Sequence, residues 1–337
     1  MKEKLDKYLS DALYYFDLPG LSVSLRAGDF SWQGAAGYRD IETGEPLKTG
    51  EVFHMASVSK LFTATAVLQL VEKGEISLDS RLLEVLPWIS VADDRVELIE
   101  IRHLLTHTSG LADVEDYHWE RPQTGEDALG NWCRSSEVSD SRMLWSPLEG
   151  RFRYSNMAYE ILGCLVAEVS GLSFEEYIRR NIFVPLGMEN STFLTFERNL
   201  EDMPRPHAKD EQKHIVKLAV YPYNREHGPS STLTSCGSDM AVWARANLRR
   251  EILRPETYDI IWKEYAEVPN NREKMGLGWF MRRQRGYQMM GHEGTDDGFR
   301  ASFWICPGLD LFILVNSNLS GAPVKKINRQ VFDLLME

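Results

Sequence analysis

Between Ser57 and Lys73 the chain predicts a helix with apolar residues on nearly every side: Leu61, Phe62, Ala64, Ala66, Val67, Leu68, Leu70 and Val71 leave no polar stripe. A helix that is apolar all round has no face to give to water, so it must lie inside a core wrapped by other elements. Lys73 in its last turn and Gly74 just beyond it supply the stop signal. The rest of the chain must therefore provide covering layers for this one segment.

Those layers are legible at both ends. Leu9, Leu13 and Phe16 recur as a helix would place them, up to Pro19-Gly20. Leu21-Ser22-Val23-Ser24-Leu25 then alternates with the two-residue period of a half-buried strand, and residues 30–38 return after the Ala27-Gly28-Asp29 turn as the second arm of a hairpin. Residues 101–105, 157–169, 174–182 and 239–248 have helical spacing, and strand-like runs are scarce between about 75 and 250. Strands return at 278–282, 300–305 and 311–315, followed by helical spacing over 324–335. The pattern predicts an α+β fold in which 1–65 and 250–337 build one sheet domain, 66–249 form an inserted helical domain, and the active site lies at their interface.

With 337 residues the chain exceeds what a single core usually organises. Its net charge of -12 repels phosphate backbones and anionic lipid surfaces, so nucleic acid and membrane are poor partners and a small molecule or short peptide is the better one. No stretch approaches the roughly 18 consecutive apolar residues of a membrane span. The start, Met1-Lys2-Glu3-Lys4-Leu5-Asp6-Lys7, lacks the apolar core of a secretory signal, and we expect a cytoplasmic protein of undetermined oligomeric state. Cys133, Cys164, Cys236 and Cys306 are far apart in sequence with no Cys-x-x-Cys pair, and buried free thiols are expected. The sequons at Asn190 and Asn318 are expected to be chance matches, since a cytoplasmic chain never meets the glycosylation machinery.

Three short motifs carry the chemistry. Ser57-Val58-Ser59-Lys60 opens the buried helix, and residues three apart on a helix share a face, so the hydroxyl and the amine can meet. A serine hydroxyl needs a neighbouring base, an amine serves only when neutral, and burial lowers a lysine pKa in that direction. The helix start adds a positive field and free backbone donors. Tyr154-Ser155-Asn156 follows Pro147 and Gly150 in a turn; beside Lys60, a tyrosine is expected to ionise or shuttle protons, and Asn156 offers a donor and an acceptor. His292-Glu293-Gly294-Thr295 lies in the strand-rich end, where the glycine admits a substrate strand and the Thr295 amide can join that of Ser57 as an oxyanion hole. Each motif alone has a bland reading: a capped helix with a solvated lysine, a helix cap, and a polar turn.

In this order the three motifs resemble the serine β-lactamase, penicillin-binding-protein and family VIII esterase superfamily, especially its class C-like branch. The segments 101–111 (Ile-Arg-His-Leu-Leu-Thr-His-Thr-Ser-Gly-Leu), Gly187-Met188 and Gly276-Leu277-Gly278-Trp279 also look like that family, and the likeness spans residues 18–320. The resemblance implies a β-lactamase/transpeptidase-like fold with an antiparallel sheet flanked by helices. It also implies acylation of Ser57, Lys60 and Tyr154 sharing the acid and base duties, and substrate or oxyanion contacts from Asn156, His292, Gly294 and Thr295. It calls for no cofactor and no metal. His103 and His107 stand one helical turn apart, and packing and hydrogen bonding are expected of them rather than metal ligation.

Lys48-Thr49-Gly50 copies a triad common in β-lactamases but lies in a turn-rich loop just before Ser57, and we set it aside for His292-Glu293-Gly294. A histidine at that first position is cationic only part of the time near neutral pH, which disfavours a substrate carboxylate and efficient β-lactam hydrolysis. Asp296 and Asp297 would add to that bias if they face the site. Tyr117, Trp119, Tyr221 and Tyr223 are loop aromatics available to wall a cleft. The expected function is hydrolysis of a small ester or amide, carboxylesterase- or amidase-like. The alternatives are a D-amino-acid or D-Ala-D-Ala-type peptidase, a weak β-lactamase, an acyltransferase, or a penicillin-binding sensor that is acylated once without turnover.

Overall fold

A computed structural model of the chain describes residues 1–269 and 272–337. Among these, the strands are β1 (Gly20–Ala27), β2 (Phe30–Asp40), β3 (Glu45–Pro46), β4 (Phe53–His54), β5 (His207–Lys209), β6 (Ile215–Lys217), β7 (Thr234–Ser235), β8 (Ala266–Glu267), β9 (Lys274–Met275), β10 (Phe280–Gln284), β11 (Tyr287–Asp296), β12 (Phe299–Cys306) and β13 (Leu311–Ser317). The α-helices are α1 (Lys2–Tyr15), α2 (Ser59–Glu72), α3 (Leu82–Val85), α4 (Ile101–Leu105), α5 (Ala128–Cys133), α6 (Ser136–Ser139), α7 (Asn156–Ser170), α8 (Phe174–Ile178), α9 (Val184–Leu186), α10 (Gly228–Ser231), α11 (Gly237–Leu248), α12 (Pro255–Ile261) and α13 (Val324–Leu335). One antiparallel sheet runs β3-β2-β1-β13-β12-β11-β10-β9-β8, so the two ends of the chain meet where β1 pairs with β13, Val23 opposite Val315.

Strand alternation sorts side chains onto two covered faces. Ile313, Val315, Trp304 and Met289 point to the layer of α1 and α13, where they pack with Leu5, Leu9, Ile327, Val331 and Phe332. Phe312, Leu314, Phe303, Ile305 and Met290 point the other way, into the core built on α2 and α7. Because both faces are covered, β13 is buried at all seven positions. That is why Leu311-Phe312-Ile313-Leu314-Val315 reads as an unbroken apolar run.

The apolar helix lies where its sequence demands. Leu61, Phe62, Val67, Leu68 and Leu70 are fully buried, each contributing about 1.5–3 kcal/mol by leaving water. Phe62 stacks on Trp243 at 4.0 Å, tying α2 to α11. Among the described residues no single helix is long and apolar enough to cross a membrane.

Several boundaries differ from the sequence reading. Ser57 belongs to a 3-10 turn (Ala56–Val58) and α2 begins at Ser59, because the Ser59 hydroxyl donates to Ala56 O (2.6 Å) and accepts Leu233 N–H (3.0 Å), which pins the turn to the β7 segment. The strand expected at Gly278 starts at Phe280, since Gly278 takes a left-handed φ of 83° against α2 and a Cβ there would lie 2.3 Å from Ala64 Cβ. The helix expected over 174–182 is α8 followed by a π turn, Arg179–Phe183. The 292–295 motif, by contrast, lies at the end of β11, on a strand as the family resemblance implied and not in the turn of its bland reading.

The four cysteines are free and buried, yet not all are apart: Cys133 Sγ and Cys164 Sγ are 3.0 Å from each other. Asn318 is fully buried with its amide donating to the carbonyls of Tyr38, Arg39 and Arg205, which leaves that sequon no room for a glycan.

Candidate active site

The serine turn is clamped between the sheet and the helical layer. Gly294 of β11 faces Met55 and Ala56, and a Cβ there would stand 2.2 Å from Met55 O. The glycine thus admits the backbone just before Ser57. Ala56 takes φ 46°, a left-handed conformation worth about 1–3 kcal/mol of strain for a residue with a Cβ, stored next to the nucleophile position. Gly294→Ala is expected to push the serine turn off the strand, destabilising the fold by about 1–3 kcal/mol and slowing any Ser57-dependent reaction at least about tenfold. Thermal unfolding and kinetics on one preparation check this; a variant with wild-type melting and rate would refute the clamp.

Lys60 is fully buried behind Ser57. Its Nζ lies 3.1 Å from Ser57 Oγ, 2.6 Å from Asn156 Oδ1 and 2.8 Å from Ser230 O. Burial brings its pKa down from 10.5 to about 8, against the opposing pull of the Glu160, Asp113 and Asp296 carboxylates. Both carbonyl oxygens only accept hydrogen bonds. A neutral amine therefore spends its two hydrogens on Asn156 and Ser230, and its lone pair is left for the serine hydroxyl.

Asn156 does not cap α7; the Ser155 hydroxyl does, accepting from Ala158 N at 3.2 Å. What holds Asn156 is Asp113, whose Oδ1 accepts from its backbone N (2.7 Å) and its Nδ2 (3.0 Å). That contact turns the amide oxygen toward Lys60. Asp113 escaped the sequence reading although it lies two residues beyond the family-like Thr-Ser-Gly-Leu stretch, because only folding brings it to Asn156.

Tyr154 hydrogen-bonds the Ser57 side chain, and the Lys60 ammonium sits 4.9 Å from the centre of its ring. Of the two roles expected beside a lysine, ionisation and proton shuttling, the first is disfavoured. Burial drives its pKa well above the usual value, and nearby Tyr159, Asp113 and Asp296 add to that, outweighing the bond to Ser57. Lys60 meets the ring face rather than the hydroxyl, so it gives the phenolate little stabilisation.

His292 also departs from expectation. It is 2% exposed, and burial together with the Lys60 charge pushes its pKa down to about 3, so it is neutral near pH 7 rather than intermittently cationic. The edge of Phe280 covers its ring at 4.9 Å. His103 and His107 each spend Nδ1 on a backbone N–H, from Glu100 (3.0 Å) and Ser155 (3.2 Å), in the packing and hydrogen-bonding roles expected of them.

A cavity of about 530 Å³ opens over these groups, lined by Ser57, Tyr154, Asn156, His292 and Thr295 together with Tyr117, Phe152, Phe280 and Asp296. Of the four loop aromatics only Tyr117 reaches it; Trp119 stacks behind Tyr117 at 4.7 Å, while Tyr221 and Tyr223 are buried elsewhere. Asp296 lines the cavity and Asp297 does not. Lys48-Thr49-Gly50 is exposed in its loop. The structure therefore gathers a hydroxyl, a buried amine and a phenol around one open space, an arrangement able to move a proton off a serine.

Comparison with known proteins gives the family and the fold. Penicillin-binding protein 4 of Amycolatopsis lactamdurans is 27% identical over 305 residues, 86% of this chain and 78% of that protein. Two other relatives are longer proteins, of which the chain spans 37% and 65%. The octameric penicillin-binding protein homologue from Pyrococcus abyssi superposes with a TM-score of 0.84 at 25% identity, covering 99% of this chain and 77% of that one. The D-amino acid amidase from Ochrobactrum anthropi SV3 shares the fold, with a TM-score of 0.85 at 20% identity over 99% of both chains. The Beta-lactamase family matches residues 8–336, through the strands and the helices that build the cleft alike, and the chain belongs to that family.

Proposed function

We propose that the protein is a serine hydrolase that takes the acyl group of a small ester or amide onto Ser57 and passes it to water. The observation that carries this reading is the Lys60 amine 3.1 Å from Ser57 Oγ, with its remaining directions occupied by two carbonyl acceptors. Neutral Lys60 takes the hydroxyl proton as Oγ bonds to the substrate carbonyl carbon, whose oxygen becomes the oxyanion. The backbone N–H groups of Ser57 and Thr295 receive that oxyanion. As the intermediate collapses, the bond to the leaving group breaks and Tyr154, still protonated, hands it a proton and becomes a transient phenolate, while Lys60 keeps the serine proton. In deacylation the phenolate takes a proton from the attacking water, and Lys60 returns its proton to Ser57 Oγ as the acyl bond breaks.

Amides stand beside esters in this reading because the Ochrobactrum anthropi neighbour is a D-amino acid amidase. The test is a panel of p-nitrophenyl acetate and butyrate, nitrocefin and D-alanyl p-nitroanilide, with intact-mass and peptide analysis of quenched reactions. Steady turnover with a transient acyl adduct on the Ser57 peptide is the expected result. A single burst with a lasting adduct would make the protein a sensor; neither adduct nor turnover on any substrate would sink the proposal.

The role given to Tyr154 makes a sharper demand. An amide nitrogen must be protonated to leave, whereas p-nitrophenolate leaves unaided, so Tyr154→Phe should slow amide cleavage by about 10²–10³-fold and p-nitrophenyl ester cleavage far less. Equal losses on both substrates would remove Tyr154 from proton transfer to the leaving group.

A further inference from the structure

Beyond Gly291 the strand β11 has lost its neighbour β10, whose pairing ends at Phe280 opposite Gly291, while β12 continues to pair as far as Asp296. Residues 292–296 therefore form an open edge along the cleft. Alternation puts His292, Gly294 and Asp296 on one face of this edge, the face whose glycine touches the serine turn. Ser57 consequently lies opposite the middle of a segment about 13 Å long, with an imidazole at one end and a carboxylate at the other.

Both ends accept hydrogen bonds. His292 Nδ1 is 2.6 Å from Glu293 O, which only accepts, so the ring proton is on Nδ1. Nε2 then carries a lone pair, and it is buried against the cleft without a partner. An orphaned buried acceptor is unfavourable unless a ligand supplies the missing donor. Asp296 is held by His54 Nε2 at 2.7 Å and by the Ser231 hydroxyl, both on Oδ2. Neither bond uses Oδ1, and the side chain is only 9% exposed. Arg300, across the strand pair, donates to the main-chain oxygens of Asp296 and Phe299 instead. The other carboxylates on the cleft wall are met from behind, Glu273 by Lys325 at 2.6 Å and Glu293 by Trp304 Nε1 at 2.7 Å. No lysine or arginine lines the cavity among the described residues.

The lining offers acceptors and carries no cation of its own, and the nearest one, Lys60, is enclosed behind Ser57 by Asn156 and Ser230. The open end at Asp296 therefore disfavours a carboxylate and suits a donor that carries charge. We infer that the substrate of this site is an ester or amide bearing a free protonated amine beside the scissile carbonyl, an aminoacyl compound, with the ammonium received by Asp296 and an N–H of the substrate by His292 Nε2. This inference rests on the reading of Ser57 as the acylated residue. His54 and Ser231 are positioning residues that fix the carboxylate.

The test compares alanine p-nitroanilides of both configurations with the amine free, N-acetylated or N-succinylated, at pH 7, in the wild type and in Asp296→Asn. In the wild type the free amine should exceed the N-acetyl compound about 10- to 100-fold in kcat/KM, with the N-succinyl compound slowest, and Asp296→Asn should bring that ratio to within about threefold of one. A wild type that prefers the N-acetyl or N-succinyl compound, or a folded Asp296→Asn with an unchanged ratio, overturns the inference. Should Asp296→Asn fail to fold, competition against p-nitrophenyl acetate in the wild type decides: alaninamide must inhibit better than N-acetylalaninamide, and the reverse order overturns the inference. Absence of p-nitrophenyl acetate cleavage would strike the Ser57 reading itself; cleavage without amine preference would strike only this inference.

Discussion

Ser57→Ala is expected to lower the hydrolysis of every substrate that the wild type turns over by about 10⁴-fold or more while leaving the fold intact. Among the described residues the hydroxyl is the only group in the cleft that its neighbours prepare to attack: Lys60 stands 3.1 Å from it and the Tyr154 hydroxyl is bonded to it. Its removal still leaves Lys60 with Asn156 Oδ1 and Ser230 O, so no buried charge loses its last partner. A change in stability of less than about 1 kcal/mol should accompany the loss of activity. Residual turnover at more than about one percent of wild type, in protein with normal melting, would show that another nucleophile acts.

Lys60→Met should reduce kcat/KM by about 10³–10⁴-fold, and Lys60→Arg no less, because a guanidinium is never deprotonated at working pH. The pH profile gives the sign. The active form is the neutral amine, so in the wild type kcat/KM rises with pH through an inflection at about 8, the value to which burial brings Lys60. In Lys60→Met that limb should vanish; a limb at the same pH in the variant would assign it to another group.

Stability carries a second signature of the same residue. The unfolded chain holds the Lys60 proton up to its ordinary pKa of 10.5, and the folded chain releases it near 8. The penalty for burying the ammonium is therefore complete below pH 8 and fades as pH rises toward 10.5, a span of about 3 kcal/mol. Relative to Lys60→Met, the wild type should gain stability over that window.

Much of this site was legible before folding because its parts are local. Ser57 and Lys60 are one turn apart, and the all-apolar helix behind them left the lysine no route to water. The burial of α2, the hairpin of β1 and β2 and the span of α13 follow from side-chain periods of 3.6 and 2, which depend only on residue order. What the sequence could not supply was the set of neighbours from distant segments. Tyr154 was expected to ionise or shuttle protons beside a cation; ready ionisation is what packing removes, because the phenol is buried, Lys60 approaches its face, and Asp113 and Asp296 add negative charge near by.

His292 was expected to be cationic part of the time, and becomes a neutral acceptor because Phe280 and the backbone of Glu293 enclose it with Lys60 near by. Asp113 and the His54–Asp296–Ser231 group carry no motif at all; their partners lie 43, 242 and 65 residues away. Residue order alone determined that a hydroxyl and an amine would meet at the mouth of a buried helix. Which groups carry charge there, and which charge the cleft will accept, was decided only by tertiary packing, because desolvation and Coulomb interactions depend on distances in space and not on spacing along the chain.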